Sequence, residues 1–324
     1  MERLSSGSAV PERLRGGFVA LGNFDGFHLG HQAVVGRAVE RARAANKPAI
    51  VATFDPHPMR YFRPDSPYFR LTSLDQRQRL FADAGVDAMY VFDFDASLAA
   101  LSAEAFVEQR LVGDLGVAGV ATGEDFTFGK GRSGDIPLLR ALGEANGFTV
   151  DTIAPVQLVG ETVSSTRIRE ALRAGDPRGA ARLLTRPYTI EGVVQHGDKV
   201  GRTLGYPTAN IDMANYLRPK FGIYAVRGRL SDGRVLDGAA NLGVRPSFDP
   251  PKELLEPYFF DFAGDLYGQT IAVELIDFIR PEAKFDTLEA LSTQMADDVA
   301  NARRLLANPS PLVGEGGSAE GAEG

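Results

Sequence analysis

The stretch from Phe18 to Gln32 reads FVALGNFDGFHLGHQ and predicts a strand, a tight turn and a helix in immediate succession. Residues 18–21 are apolar, as in a buried strand, and the glycines after them favour a sharp turn. From 29 to 45 the apolar residues recur at helical spacing. Because His28 and His31 are three residues apart at the start of this helix, we expect both imidazoles on one face of its first turn.

The start of such a helix suits a phosphate group. Its first backbone N–H groups have no partner within the helix, and the positive end of the helix dipole lies there. Two imidazoles and a glycine-opened backbone at the same point favour a triphosphate. The alternative is a pair of exposed histidines that only cap the helix. We prefer the phosphate site because two of the four histidines in the chain fall here, in H-x-G-H spacing.

The composition is that of a globular protein of about two domains. The chain has 324 residues, of which 44% are hydrophobic and 24% charged. The formal net charge of −7 argues against non-specific binding to nucleic acid or anionic membranes. The lack of cysteine excludes disulfides and thiolate metal sites. No apolar run could span a bilayer and no signal-peptide core is present, so we expect a cytoplasmic protein, with oligomerisation possible but not predicted.

The first half alternates strands and helices, which predicts a mostly parallel sheet with helices on both faces. After the second strand, the sequence Asp55-Pro56-His57-Pro58 predicts a loop, because the two prolines interrupt regular structure. His57 could contact a nucleotide or brace this loop. Beyond the first strand and helix, strands are predicted at 49–54, 88–92, 119–122 and 148–153, and helices at 74–84 and 104–111.

Two later segments of the first half also suit anions. Residues 123–135, GEDFTFGKGRSGD, follow a strand, and their glycines would allow a ligand to approach the backbone closely. Read without a ligand, they form a flexible surface loop. Residues 163–169, VSSTRIR, place hydroxyl groups before a helix predicted at 170–174, which is typical of a helix cap. Arg167 and Arg169 oppose the dipole of that helix, and a bound anion would compensate them.

A domain boundary is predicted near 185–187, where the pattern changes to closely spaced strands with turn signals. Such spacing predicts a small antiparallel barrel. A helix at 287–306 follows the strands, and the Gly/Ser/Glu-rich segment 307–324 is expected to be a disordered tail. The strands are predicted at 188–195, 222–230, 235–242, 258–261 and 270–279.

The motifs resemble those of a known family. N-F-D-G and H-L-G-H at 23–31 are similar to the signature of the nucleotidyltransferase superfamily related to class I aminoacyl-tRNA synthetases. GDKVGRTLGYPTAN at 197–210 resembles the riboflavin kinase signature. From about residue 17 to 306 the chain resembles the prokaryotic bifunctional riboflavin kinase/FAD synthetase. The resemblance implies a Rossmann-like α/β FMN adenylyltransferase domain at 1–185 and a riboflavin kinase β-barrel with a C-terminal helix at 186–306.

The resemblance also implies the site residues. Catalytic roles fall on His28, His31 and Arg169 for adenylyl transfer and on Glu256 for the kinase. Thr208 and Asn210 would hold Mg²⁺, which prefers oxygen ligands. The expected nucleotide-binding positions are Asn23, Asp25, Gly26, Asp125, Ser164, Ser165, Thr166, Gly197, Lys199, Gly201 and Gly205. Phe62 and Arg280 are the expected flavin contacts.

The kinase base is the one position where this sequence departs from the family pattern. Pro257 and Tyr258 stand where the family usually has Thr-His, and a second carboxylate, Glu253, lies nearby. Since proline favours the first residue of a strand or an edge, we expect Glu256 just outside the strand ladder, free to reach a substrate. Glu253, in a loop that contains proline and lysine, is expected to face solvent.

The resemblance implies two successive reactions. ATP phosphorylates riboflavin to FMN in the second domain, and the first domain joins FMN to the AMP part of ATP, releasing pyrophosphate. One alternative is a riboflavin kinase alone, with a first domain that only binds nucleotide or regulates. The other is a nucleic-acid-binding module, which the acidic charge and the lack of a basic stripe disfavour.

Overall fold

The computed structural model describes residues 1–196, 205–245 and 252–308, which form two compact units. The first unit comprises residues 1–67 and 73–164. The second comprises 68–72 and the chain from 165 onward. In the part of the chain that is described, none of the helices combines the length and the apolar character needed to cross a membrane.

The first unit contains a six-stranded parallel sheet of order β1-β4-β3-β2-β5-β6. The chain places β3 and β4 on one side of β2 and then returns to add β5 and β6 on the other. At such a reversal the carboxyl ends of the strands form a crevice for ligands. The predicted Rossmann-like class is therefore confirmed. The strands are β1 (Glu2–Ser5), β2 (Phe18–Leu21), β3 (Ala49–Asp55), β4 (Ala88–Asp93), β5 (Gly119–Gly123) and β6 (Thr149–Ile153).

Apolar side chains fill both faces of this sheet, because successive residues of a strand point to opposite sides. Val19 and Leu21 belong to the core cluster on one face, and Ala20 belongs to the cluster on the other. The helices are α1 (Leu29–Ala44), α2 (Pro58–Phe62), α3 (Leu74–Asp83), α4 (Ala96–Ala99), α5 (Ala103–Phe106, continued by the π-helical Val107–Leu115) and α6 (Ile136–Asn146). A short hairpin, β7 (Gln157–Leu158) and β8 (Glu161–Thr162), follows.

The expected loop after β3 is instead helix α2. His57 caps it by accepting a hydrogen bond on Nδ1 from the backbone N–H of Met59, at 3.1 Å. Pro58 occupies the first helical position, where the missing N–H costs nothing and the fixed φ suits a helix. The prediction that the two prolines prevent regular structure here was therefore wrong. His57 braces the chain through this cap.

The second unit contains a closed antiparallel barrel of order β10-β13-β12-β11-β14-β9. This confirms the predicted barrel, although β10 and helix α8 were not foreseen. Its strands are β9 (Tyr188–Gln195), β10 (Asn210–Asp212), β11 (Gly222–Arg229), β12 (Val235–Arg245), β13 (Lys252–Phe259) and β14 (Thr270–Arg280), and its helices are α7 (Ser165–Ala174), α8 (Pro177–Leu184) and α9 (Leu288–Ala307). Helix α7 begins within the hydroxyl run, five residues earlier than expected. Residues 309–324 of the predicted tail lie outside the described residues.

Strand β13 begins at Lys252, six residues before the predicted start, so Glu256 lies inside the ladder opposite Asn241. The expectation that Glu256 stands outside the ladder was wrong. Pro257 is tolerated because its carbonyl accepts from the N–H of Ala209, at 2.9 Å, on the side of the short strand β10. The proline nitrogen faces the same side, so the long ladder with β12 loses no donor.

Candidate active sites

The turn after β2, residues 23–28, has an unusual backbone. Phe24, Gly26 and Phe27 have φ values of 49°, 91° and 45°. Left-handed conformations are rare for bulky residues, so the surrounding structure must hold this turn. The N–H of Phe27 donates to the carbonyl of Phe24 at 3.2 Å. We call residues 23–28 the NFDG turn; it brings the chain from the end of β2 to the first residue of α1.

His28 and His31 stack on one another at the start of α1, as their spacing predicts. The ring centroids are 3.6 Å apart and the ring planes differ by 19°. His28 caps the helix, with its Nδ1 accepting from the N–H of His31 at 3.4 Å, and it is only 5% exposed. The edge of Phe24 packs against His31, with centroids 5.3 Å apart. The alternative of two exposed capping histidines is therefore half right for His28, which caps the helix but is buried.

Polar residues of the NFDG turn and of the loop after β5 lie at the carboxyl ends of adjacent strands. Asp25 is buried, and the side-chain Oδ1 of Asn23 is buried and accepts no hydrogen bond from the described residues. The carboxylate of Asp125 folds back over Gly123, so a Cβ at that glycine would lie 2.9 Å from Oδ1. These side chains stand where open α/β sheets bind ligands.

Two glycines of the segment after β5 lie in close packing. Phe128 and Gly134 exchange backbone hydrogen bonds at 3.0 and 2.9 Å. A Cβ at Gly129 would come within 2.7 Å of the Ala103 backbone, and one at Gly134 within 2.8 Å of the Ala103 side chain. These two glycines serve close packing against α5. The expected approach of a ligand to the backbone of this segment stays a prediction.

The hydroxyl motif is divided between the two units. Ser164 is the last residue of the first unit, whereas Ser165, Thr166 and Arg169 lie on α7 in the second. Arg169 donates from Nε to the carbonyl of Phe69 at 2.8 Å, and its guanidinium carbon lies 5.3 Å from the centroid of that ring. Its predicted contact with phosphate stays a prediction.

Phe62 belongs to an exposed aromatic surface of the first unit. Its side chain is 64% exposed. Tyr61 and Phe94 meet it edge to face, with centroids 5.1 and 5.8 Å away. An exposed ring supported in this way is suited to stacking against a flat heterocycle.

The barrel contains a half-open pocket of about 350 Å³. Thr208, Asp265 and Tyr267 contribute side-chain oxygen atoms to the lining, and its other residues are apolar. Asn210, which begins β10, is 8% exposed. The predicted nucleotide-binding positions Gly197, Lys199 and Gly201 lie outside the described residues. Gly205 is described and has a φ of 84°. Among the lining residues are Val194, Pro207, Ala209, Phe259, Phe262, Leu266 and Tyr267.

Thr208 and Asn210 supply the kind of oxygen donors that Mg²⁺ prefers. Within residues 1–196, 205–245 and 252–308, no group of three or more His, Cys, Asp or Glu side chains is placed to hold a metal ion. Magnesium commonly uses one or two protein ligands together with phosphates and water. The donor set therefore fits an ion that arrives with ATP.

Glu256 lies in a polar cluster on β12 and β13. It forms an ion pair with Arg245, and its side chain is only 14% exposed. The Nδ2 of Asn241 is 3.5 Å from Glu256 and 3.3 Å from Glu282, and Arg245 also reaches Glu282 at 3.7 Å. This cluster holds the Glu256 carboxylate in a defined position.

Glu253 has a different environment. Its carboxylate accepts from Nε of Arg218 at 2.6 Å, so the expectation that it only faces solvent was wrong. Arg218 is held in turn by the carbonyls of Met213 and Ala214, at 3.2 and 2.9 Å. Glu253 and Glu256 are three residues apart on one strand, so their side chains point to opposite faces of the sheet. A substrate bound on one face can therefore contact only one of the two carboxylates.

Arg280 anchors helix α9 to the end of β14. Its Nε and Nη2 donate to the two carboxylate oxygens of Asp298, at 2.8 and 2.6 Å, and Nη1 donates to the carbonyl of Pro281 at 2.9 Å. Asp298 is 5% exposed and also accepts from Gln294 at 3.1 Å. Arg280 therefore positions the helix, and its expected contact with a flavin stays a prediction.

Arg280→Met is expected to lower the free energy of unfolding of the second unit by about 3–5 kcal/mol, because Asp298 would stay buried without its cation. Chemical denaturation of the full chain measures this. Arg303→Met, on the helix that Arg280 anchors, is the matched control. Its partner Asp261 is exposed, so the loss should be about 1 kcal/mol or less. Equal, small losses for the two variants would contradict the anchoring role.

Both halves of the chain match family models: residues 10–167 match FAD synthetase, and residues 184–306 match riboflavin kinase. A Haemophilus influenzae relative is 40% identical over 293 residues, covering 90% of this chain and 95% of its own. A Pseudomonas fluorescens relative is 42% identical over 294 residues, covering 90% and 94%. Both are described as bifunctional riboflavin kinase/FMN adenylyltransferase.

A solved structure from Streptococcus pneumoniae is also similar, with a TM-score of 0.83 and 30% identity over 96% of this chain and all of that one. It is described as a macrolide-efflux protein. That description concerns the streptococcal protein. Its likeness to this chain extends the similarity in fold over both units.

A parallel nucleotide-binding sheet with an H-x-G-H helix, together with a closed barrel that carries P-T-A-N, defines a transferase with two nucleotide-dependent activities. The chain belongs to the bifunctional riboflavin kinase/FMN adenylyltransferase family. It converts riboflavin to FMN and FMN to FAD, using ATP for both reactions. Because both family models match, the alternative of a kinase with a merely regulatory first domain is not favoured.

Proposed function

We propose that the stacked pair His28 and His31 forms the adenylyl-transfer site, in a domain spanning 1–185. The kinase site then comprises Glu256, Thr208 and Asn210 of the barrel, in a domain spanning 186–306. The single observation that supports this division best is the pair of histidines at the carboxyl end of β2, where the strand order reverses. Both activities draw on ATP, and we place the protein in the cytoplasm.

In the adenylyl transfer, an oxygen of the FMN phosphate attacks the α-phosphorus of ATP. The bond to the β-phosphate breaks, and pyrophosphate leaves with its electron pair. The nucleophile is already an anion, so the reaction needs no general base. His28 and His31 stabilise the charge on the triphosphate, with Asn23, Asp25, Gly26 and Asp125 orienting it. The roles of Ser164, Ser165, Thr166 and Arg169 as phosphate contacts rest on the sequence motif.

In the kinase reaction, the 5′-hydroxyl oxygen of riboflavin attacks the γ-phosphorus of ATP and ADP leaves. Glu256 accepts the proton of that hydroxyl. Arg245 and Asn241 hold the carboxylate for this step. Thr208 and Asn210 would hold Mg²⁺, which when bound neutralises charge on the transferred phosphoryl group. Gly197, Lys199, Gly201 and Gly205 are proposed to contact the nucleotide.

The two flavin positions differ in kind. Phe62 offers an exposed ring to the isoalloxazine during adenylyl transfer. Arg280 anchors helix α9, and this helix forms one side of the proposed flavin site of the kinase. Each assignment rests on the family resemblance and on the surroundings of the residue within its own unit.

Thr208→Val is expected to raise the Mg²⁺ concentration needed for half-maximal FMN formation, because the variant lacks the hydroxyl oxygen. Titrating Mg²⁺ at fixed ATP and riboflavin measures the shift. FAD formation from added FMN should keep its parental Mg²⁺ dependence. Thr270→Val, at an exposed position of the same barrel, is the matched control. An unchanged Mg²⁺ dependence of the kinase in Thr208→Val would remove Thr208 from the proposed site.

A further inference from the structure

Helix α3 supports the NFDG turn through a buried arginine. Arg77 is 4% exposed, and its Nη1 donates to the carbonyl of Asn23 and to the hydroxyl of Thr53, each at 3.0 Å. The Thr53 hydroxyl donates to the same carbonyl, also at 3.0 Å. One carbonyl of the turn therefore accepts two hydrogen bonds, one from α3 and one from the end of β3.

The same helix packs against the strained part of the turn. Phe24 and Phe27 hold left-handed φ values, which cost free energy and persist only where the surroundings over-determine them. Phe81 lies one helical turn after Arg77 and meets both rings edge to face, with centroids 5.9 and 5.1 Å away. Arg77 fixes the backbone of the turn and Phe81 fixes its side chains.

This support bears directly on the residues proposed to face the triphosphate. A peptide group is planar, so fixing the carbonyl of Asn23 also fixes the direction of the N–H of Phe24. The side-chain Oδ1 of Asn23 is buried without a hydrogen bond from the described residues. The guanidinium of Arg77 stays charged. Because the interior is poorly solvated, this positive charge favours the binding of an anion at the NFDG turn.

We infer that Arg77 is a positioning residue for adenylyl transfer. Its guanidinium holds the NFDG turn in the conformation that presents Asn23 and the two histidines to the triphosphate. The inference rests on the proposed site at His28 and His31. Arg77 acts through the turn and contacts no reacting atom.

The test compares Arg77→Met with Arg77→Lys, and with Arg79→Met at an exposed position of the same helix. For FAD formation from FMN and ATP, Arg77→Met should lower kcat on the order of 10- to 100-fold and raise the KM for ATP. The KM for FMN should stay parental, and inorganic pyrophosphate should inhibit less strongly. Arg77→Lys should recover most of the loss, and Arg79→Met should resemble the parent. The kinase rate of each variant is measured in the same preparation.

These readouts separate positioning from stability. A smaller fraction of folded molecules would lower the rate but leave both KM values and pyrophosphate inhibition unchanged, and that pattern in Arg77→Met would overturn the inference. If Arg77→Met does not fold, Thr53→Val replaces it. Thr53→Val must then raise the KM for ATP, and Thr53→Ser must restore it. Parental FAD kinetics in Thr53→Val would likewise overturn the inference.

The role of Arg77 and the site at His28 and His31 can be refuted separately. If the His28→Ala/His31→Ala variant still makes FAD, the site itself is assigned wrongly. If that variant loses FAD formation while a folded Arg77→Met retains parental kinetics, the site stands and the role of Arg77 is refuted.

Discussion

His28→Ala combined with His31→Ala is expected to abolish detectable FAD formation while riboflavin is still converted to FMN. Each imidazole is proposed to stabilise charge on the triphosphate, and removing one such contact typically costs on the order of 10²-fold in rate. The two rings stack at the start of α1, within the first unit. Resolving riboflavin, FMN and FAD over time measures the result.

His28 also caps α1, so its alanine variant could disturb the helix. His28→Asn is the control, because asparagine is a favoured cap and lacks the imidazole. It should still lose FAD formation. If FMN and FAD formation disappear together in a folded protein, the assignment of the two activities to separate sites is wrong.

Glu256→Gln is expected to lower FMN formation by about 10²- to 10⁴-fold, the usual contribution of a general base. The amide keeps the shape of the side chain but cannot accept the proton of the riboflavin hydroxyl. Arg245 also reaches Glu282, so the substitution does not leave this arginine without a carboxylate. FMN supplied from outside should still be converted to FAD at the parental rate.

Glu253→Gln is the matched control on the same strand. The substitution weakens the ion pair with Arg218, which still donates to backbone carbonyls. The side chain at position 253 points to the opposite face from Glu256. Its kinase rate should be close to parental. A kinase that tolerates Glu256→Gln and loses activity in Glu253→Gln would assign the base to Glu253.

The sequence predicts the fold well where apolar residues recur with a clear period. Five of the six strands of the first sheet carry such runs and were predicted. β1, Glu2–Ser5, was missed because it is a short edge strand whose residues are mostly exposed. The start of β13 was missed because Pro257 was taken to mark the first residue of a strand or an edge, which placed Glu256 outside the ladder. Only the position of β10 shows that this proline nitrogen faces away from the long ladder.

Some residues of the candidate sites could be predicted from the sequence and others could not. The spacing of His28 and His31 predicts their shared helix face, since i and i+3 positions lie together on any helix. Arg77 and Thr53 carry no such local signal, because they meet Asn23 across 54 and 30 residues of chain. A hint exists in the placement of Arg77 four residues before the buried Phe81, on one face of α3. The separate environments of Glu253 and Glu256 depend on strand register, which the partner strands set.

The most direct test of two separate active sites mixes the His28→Ala/His31→Ala variant with the Glu256→Gln variant. Riboflavin, ATP and Mg²⁺ are supplied, and the flavins are resolved over time. Neither variant alone should make appreciable FAD from riboflavin. The mixture should make it, after a lag in which FMN accumulates. FAD formation by either variant alone at the parental rate, or none from the mixture, would contradict the account.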